Sequence, residues 1–232
     1  MTSCRAWLLP PFLVIACGGF ACSDPADLRF EQAARQITLR DQQTVRLDVE
    51  LEQKIRTVLR RAFAFDPVLG CARVWLPFEL GSIAIATAPQ AAVDAWTEGK
   101  RETGIESIDN VIAEFGVVSI EALTLQFAWN FEDPLNPEKF ADLVTSTHPE
   151  LIATARYLGG DGDDISVERT NDGHQVRVEH GTGDCEAGCI EKHYWVVSVP
   201  DDETEPVTLI EEGGYEYSAE DLELWCNGNR AL

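Results

Sequence analysis

The amino-acid sequence predicts an α+β fold, and three observations carry that expectation. The first half mixes helical apolar spacing with strand alternation, the second half runs as short strands separated by turns, and Asn171-Asp172-Gly173 is a strong hairpin signal. The expected architecture is a mixed strand-helix-strand first part followed by an antiparallel β-meander, stapled by disulfides. Apolar residues make up 45% of the 232 residues, enough for a sizeable core.

The chain opens with an address. Arg5 gives a positive start and residues 6–16 are apolar apart from Pro10 and Pro11, a run too short to span a bilayer as a helix, as in an export signal. Val14-Ile15-Ala16-Cys17 resembles the lipobox of bacterial lipoproteins, in which the signal is cut before a cysteine that is then acylated. That resemblance implies a signal peptide at 1–16, lipidation at Cys17 with Cys22 as the alternative, and a bacterial envelope location facing the periplasm or exterior. Residues 17–30 then read as lipidated cysteine and flexible tether, and 31–232 as one α+β domain, with a sub-boundary near Gly159 as the alternative.

Along that domain, Val45, Leu47, Val49 and Leu51 alternate as a strand, and Ile55, Val58, Leu59, Ala62 and Phe63 follow at helical spacing. Strands are expected from Gly70 to Pro77 and from Ser82 to Thr87. Pro89 opens a helix with Ala92, Val93 and Trp96 inward, ended by Gly99. Thr103 and Glu106 read as a capping box for a helix carrying Ile105, Ile108, Val111, Ile112 and Phe115, ended by Gly116. Ser119 to Trp129 alternates with apolar residues on both faces, as an interior strand does. Asn136-Pro137-Glu138 supplies a cap, a first-turn proline and a first-turn acid for a helix with Phe140, Leu143 and Val144 inward. Leu151 to Leu158 returns as a strand, giving a split β-α unit in which parallel pairing is open. Four meander strands are expected at 165–169, 175–180, 193–199 and 207–211.

Charge narrows the function. With 18 basic and 40 acidic residues the formal charge is -22, which repels phosphates and excludes nucleic acid as a partner; membrane contact is expected through the lipid anchor only. From Thr182 to Leu224 the acids face one lysine, Lys192, as a solvated face or a surface for a basic partner.

The densest motif is His180-Gly181-Thr182-Gly183-Asp184-Cys185-Glu186-Ala187-Gly188-Cys189, followed by His193-Tyr194-Trp195. Its Gly-Asp-Cys-x-x-Gly-Cys core is similar to a motif in uncharacterised secreted and lipid-anchored bacterial proteins; the likeness covers about 105–213 and implies no catalytic residues. Glycines at 181, 183 and 188 permit tight turns, and Cys185 and Cys189 are close enough to bridge in an oxidising compartment. The alternative is a zinc site of His180, Cys185, Cys189 and His193. Cys71 with Cys226 is the expected long-range bridge, although sequence alone does not fix connectivity. Asp161, Asp163 and Asp164 are weak calcium candidates without EF-hand spacing, and a plain acidic turn is favoured. No serine elbow, His-Glu-x-x-His, Walker loop or dinucleotide fingerprint occurs. His148 and His174 are expected at the surface, and a Cys185 nucleophile is disfavoured by Asp184 and Glu186. The expectation is therefore a non-catalytic extracytoplasmic lipoprotein domain that binds a protein or envelope component through a sheet patch that includes Tyr194 or Trp195. Its alternative is a metal-binding or metal-dependent protein.

Overall fold

Two four-stranded antiparallel sheets, each with its own helices and its own apolar core, make up the α+β fold. The computed structural model describes residues 25–158, 162–185 and 188–230. The signal at 1–16, Cys17, Cys22 and Asp161 lie outside them.

The chain begins with helices α1 (Pro25–Asp41) and α2 (Val49–Phe65). Residues 25–30, expected as tether, already belong to α1. The alternation from Val45 to Leu51 does not form a strand. Asp48 accepts a hydrogen bond from the Leu51 N–H and caps α2, while buried Gln42 holds the preceding loop through the Thr44 and Arg46 carbonyls and the Asp48 N–H. A satisfied helix start and a satisfied amide outweigh a four-residue alternation. Gly70 to Pro77 is likewise not a strand. It starts with a single 3-10 turn at Leu69–Cys71, and Cys71 is bridged to Cys226.

The first sheet then forms from β1 (Phe78–Thr87), β2 (Val117–Ala122), β3 (Phe127–Phe131) and β4 (Ile152–Tyr157) in the order β2-β3-β1-β4. Helices α3 (Gln90–Thr97), α4 (Glu106–Glu114) and α5 (Pro137–Thr147) accompany it. The expected single strand from Ser119 to Trp129 is a hairpin closed by the Leu123 N–H on the Gln126 carbonyl, and Leu123 and Leu125 are exposed at its tip. The alternation ran through a turn. Because β1 is antiparallel to both β3 and β4, those two run parallel with β1 inserted between them, a split β-α-β unit. The cap of α4 also differs from the expected box: Asp109, not Glu106, accepts from the Thr103 and Gly104 N–H groups and the Thr103 hydroxyl. Asn136 caps α5 as expected, accepting from the Lys139 N–H. Trp96, Trp129 and Phe140 are almost fully buried in this core, each worth about 2–3 kcal/mol of apolar burial.

The second sheet is the expected meander, β5 (Asp164–Arg169), β6 (Gly173–Thr182), β7 (Glu191–Pro200) and β8 (Thr208–Gly214), paired in sequence order. Its core face carries Ile165, Val176, Val178, Trp195, Val197 and Val199 against Ile37, Val58, Leu59 and Ala62 of α1 and α2. The first sheet is thus inserted in sequence between the second sheet and the helices that cover it. A last helix, α6 (Ala219–Arg230), is capped by Ser218 and Asp221, which bond each other's backbone N–H groups, and is held to the Leu69–Cys71 turn by the Cys71–Cys226 disulfide.

Candidate binding surface

The motif residues gather at one end of the second sheet. His180 and His193 are cross-strand partners on its core face, in line with Val178 and Trp195. His180 donates through Nδ1 to Asp163 Oδ1 at 2.7 Å and stacks on Trp225 at 4.1 Å between ring centroids. Asp163 also accepts from the Gly181 N–H at 3.3 Å and, through Oδ2, from the Trp225 indole at 2.9 Å. His193 donates from Nδ1 to the Tyr215 carbonyl at 2.7 Å and sets Nε2 at 3.1 Å from Glu212 Oε1. Tyr217 packs on His180, with its hydroxyl 2.7 Å from that of Thr182; burial first, then the charges of Glu191 and Asp163, pushes its phenol pKa up, against the Thr182 bond. These contacts tie α6 and residues 214–218 to the sheet.

On the opposite face, the Cys185–Cys189 disulfide closes its hairpin over Gly181. A Cβ at 181 would lie 2.5 Å from Cys189 Sγ, so only glycine admits the loop. Both expected disulfides are present.

The zinc alternative is corrected by this geometry. Cys185 and Cys189 are bonded to each other, His180 Nδ1 is taken by Asp163 and both nitrogens of His193 face acceptors. Among the described residues no group of three His, Cys, Asp or Glu side chains is placed to hold a metal ion. Of the calcium candidates, Asp161 lies outside the described residues, and the other two are engaged within the fold. Asp163 serves His180 and Trp225, and Asp164 pairs with Arg40 at 2.7 Å and accepts the Trp75 and Ile165 N–H groups. A thiol nucleophile at Cys185 is removed by the same bridge.

Two expectations about exposure also change. His174 lies at the other end of the core face, 6 % exposed, not at the surface; burial, with the Arg169 and Lys54 charges, holds its pKa below the ordinary histidine value against the pull of Asp201. Trp195 is buried beneath the α6 cluster, so it belongs to no exposed patch. Tyr194 is on the outer face, covered by the Arg177 guanidinium at 4.0 Å and bonded to Glu211.

What the second sheet does present is its last strand. α1 and α2 pack over β5, β6 and β7, whereas β8 projects past them, exposed from Thr208 through Glu212. Leu209 is 45 % and Ile210 51 % exposed. A bulge opposite Val196 and Val197 leaves Ile210 without a partner in β7. Around this strand, Asp201 to Glu223 holds ten carboxylates and no Lys or Arg. Arg169 answers Asp201, but among the described residues Glu203, Glu205, Glu216, Glu220 and Glu223 form no ion pair. Elsewhere, a cavity of about 440 Å³ lies between the 42–48 loop and the first sheet's loops, lined by both signs of charge, Arg35 and Arg46 with Glu114, Glu132 and Asp133.

The chain matches no known protein family, no curated protein and no solved structure. Asp163, read from sequence only as a calcium candidate, builds the histidine cluster with Glu212, Tyr217 and Trp225, none of which sequence joined to the histidines. The capping pair Ser218 and Asp221 with Leu222, Trp225 and Cys226 at helical spacing is the signal that would have found α6.

Proposed function

We propose that the protein is a non-catalytic extracytoplasmic domain, anchored by lipid at Cys17, that binds a protein or envelope component through the acidic side of its second sheet. The observation that carries this reading is the uncovered β8, with exposed Leu209 and Ile210 inside a ribbon of carboxylates that holds no Lys or Arg. Monomeric proteins ordinarily cover or blunt such an edge. Here the surrounding structure is rigid, with a disulfide, Cys71–Cys226, and two histidines bolting residues 212–226 to the sheet. A fixed, exposed surface loses little conformational entropy on binding. Two disulfides favour an oxidising compartment, in keeping with the export signal. No described helix is long and apolar enough to cross a membrane, and the lipid at Cys17 supplies the attachment.

The test is a photo-crosslinking amino acid placed singly across the full chain in its own cell envelope. Positions 209, 210 and 215 should give one discrete adduct, and Glu106 on α4 none. A surface giving no discrete adduct at any position would overturn the binding reading. Cys17→Ala should move the protein from the membrane to the soluble fraction, and unchanged association would overturn the anchor.

A further inference from the structure

The ligand chemistry can be taken further than "a partner". We infer that β8 is an edge for strand addition and that it takes an extended, lysine- or arginine-bearing polypeptide segment. The inference rests on the binding reading above and names its partner class.

β8 is last in the order β5-β6-β7-β8, paired with β7 alone. Among the described residues no hydrogen bond reaches the backbone of 208–213 from the side away from β7. In an antiparallel edge strand every second residue turns its N–H and C=O outward, so the strand offers a row of donors and acceptors to an added chain. Such recognition takes affinity from main-chain bonds and specificity from the side chains beside them. Here those are Leu209 and Ile210 at one end, Glu211 and Glu212 next, and Gly213 and Gly214, which leave room, at the other.

The charge pattern selects the occupant. A second copy of β8 would bring Glu211 and Glu212 against the same residues, and like charges across a strand pair repel. The same carboxylates, with the unpaired Glu203, Glu205 and Glu216 of the flanking loops, favour a cationic segment and steer it in. The matching sequence carries two apolar residues beside Leu209 and Ile210 and two basic residues beside Glu211 and Glu212.

The experiment titrates the full, disulfide-bonded chain with a capped octapeptide in which pairs of valine alternate with pairs of lysine, followed by calorimetry and by backbone amide shifts. A second peptide is N-methylated at every amide, which keeps each charge and removes each donor. We expect the parent peptide to bind, its shifts to fall on 208–214, and the N-methylated peptide to bind at least about tenfold more weakly. Ile210→Lys and Leu209→Lys, both at exposed positions, should weaken binding by a similar factor with the melting temperature unchanged. Equal binding of the two peptides would reduce the interaction to charge attraction and overturn strand addition. Shifts confined elsewhere, or no binding of the parent peptide, would overturn it as well. The crosslinking at positions 209, 210 and 215 reads the binding reading independently, so failure of one is not failure of the other.

Discussion

The two edges of the second sheet are handled in opposite ways. At β5, Arg40 of α1 reaches over the strand, pairing with Asp164 and donating to the Ile165 and Trp75 carbonyls, while Asp164 accepts the Trp75 N–H. One half-buried arginine thus fills the hydrogen-bonding positions at the start of that edge. It is charged throughout the accessible pH range: burial opposes its charge, but Asp41 and Asp164 raise its pKa overall. At β8 nothing comparable crosses the strand among the described residues, and two glutamates with a bulge stand where β5 has a seal. Both devices prevent promiscuous pairing, but only the second leaves the backbone reachable. On the proposed reading, β8 is the working edge and β5 the structural one.

The largest expected effect comes from breaking the bridge that holds α6 to the Leu69–Cys71 turn. The Cys71–Cys226 bridge spans a sequence separation of 155, and its removal by the Cys71→Ser, Cys226→Ser double variant should cost about 3–5 kcal/mol in denaturant unfolding. A cost below about 1 kcal/mol would mean that α6 is held by its aromatic contacts alone. Next, Arg40→Ala should cost about 1–3 kcal/mol by leaving part-buried Asp164 unanswered, and should speed amide exchange in β5 without changing β8. Exchange rising equally in both strands would undo the contrast.

A pH effect follows from His174, beside Arg169 of β5. The folded protein holds this ring neutral below the ordinary histidine pKa, whereas the unfolded chain takes a proton near about 6.5. The unfolded state therefore binds more protons in that window. Stability should be fully present above about pH 6.5 and fall as the pH drops below it, and His174→Gln should flatten that slope. An unchanged slope in the variant would remove His174 as its source. The smallest stability effect is expected at the open edge, where Ile210→Lys should change unfolding by less than about 0.5 kcal/mol. A larger loss would show that Ile210 is a packing residue, not a docking one.

How much of this was legible in the sequence depended on whether the signal was local. Asn136-Pro137-Glu138 and Asn171-Asp172-Gly173 specify their cap and turn within a few residues, and both form as read. The four meander strands and the Cys185–Cys189 bridge were local signals as well, and Cys71–Cys226 forms as expected although sequence alone did not fix its connectivity. The Val45–Leu51 alternation failed because Gln42 and Asp48 satisfy that backbone otherwise, through contacts that no periodicity encodes. The zinc reading failed for a related reason. Sequence placed four candidate ligands, two histidines and two cysteines, within fourteen residues, but strand geometry puts the histidines on the core face and the bridged cysteines over Gly181 on the other. Asp163, Tyr217 and Trp225 could not be joined to His180 from spacing, because the partners lie up to 45 residues away, His180 to Trp225, and meet only when α6 docks.

The most direct measurement is residue-resolved amide hydrogen exchange on the full chain, with and without the lysine–valine peptide. Without peptide, the outward amides of β8 should exchange at near-unprotected rates while the Ile165 amide of β5, bonded to Asp164, is protected; with peptide, those β8 amides should slow at least about tenfold and Ile165 should not change. Outward β8 amides already as slow as that of Ile165, or unmoved by saturating peptide, would contradict the account.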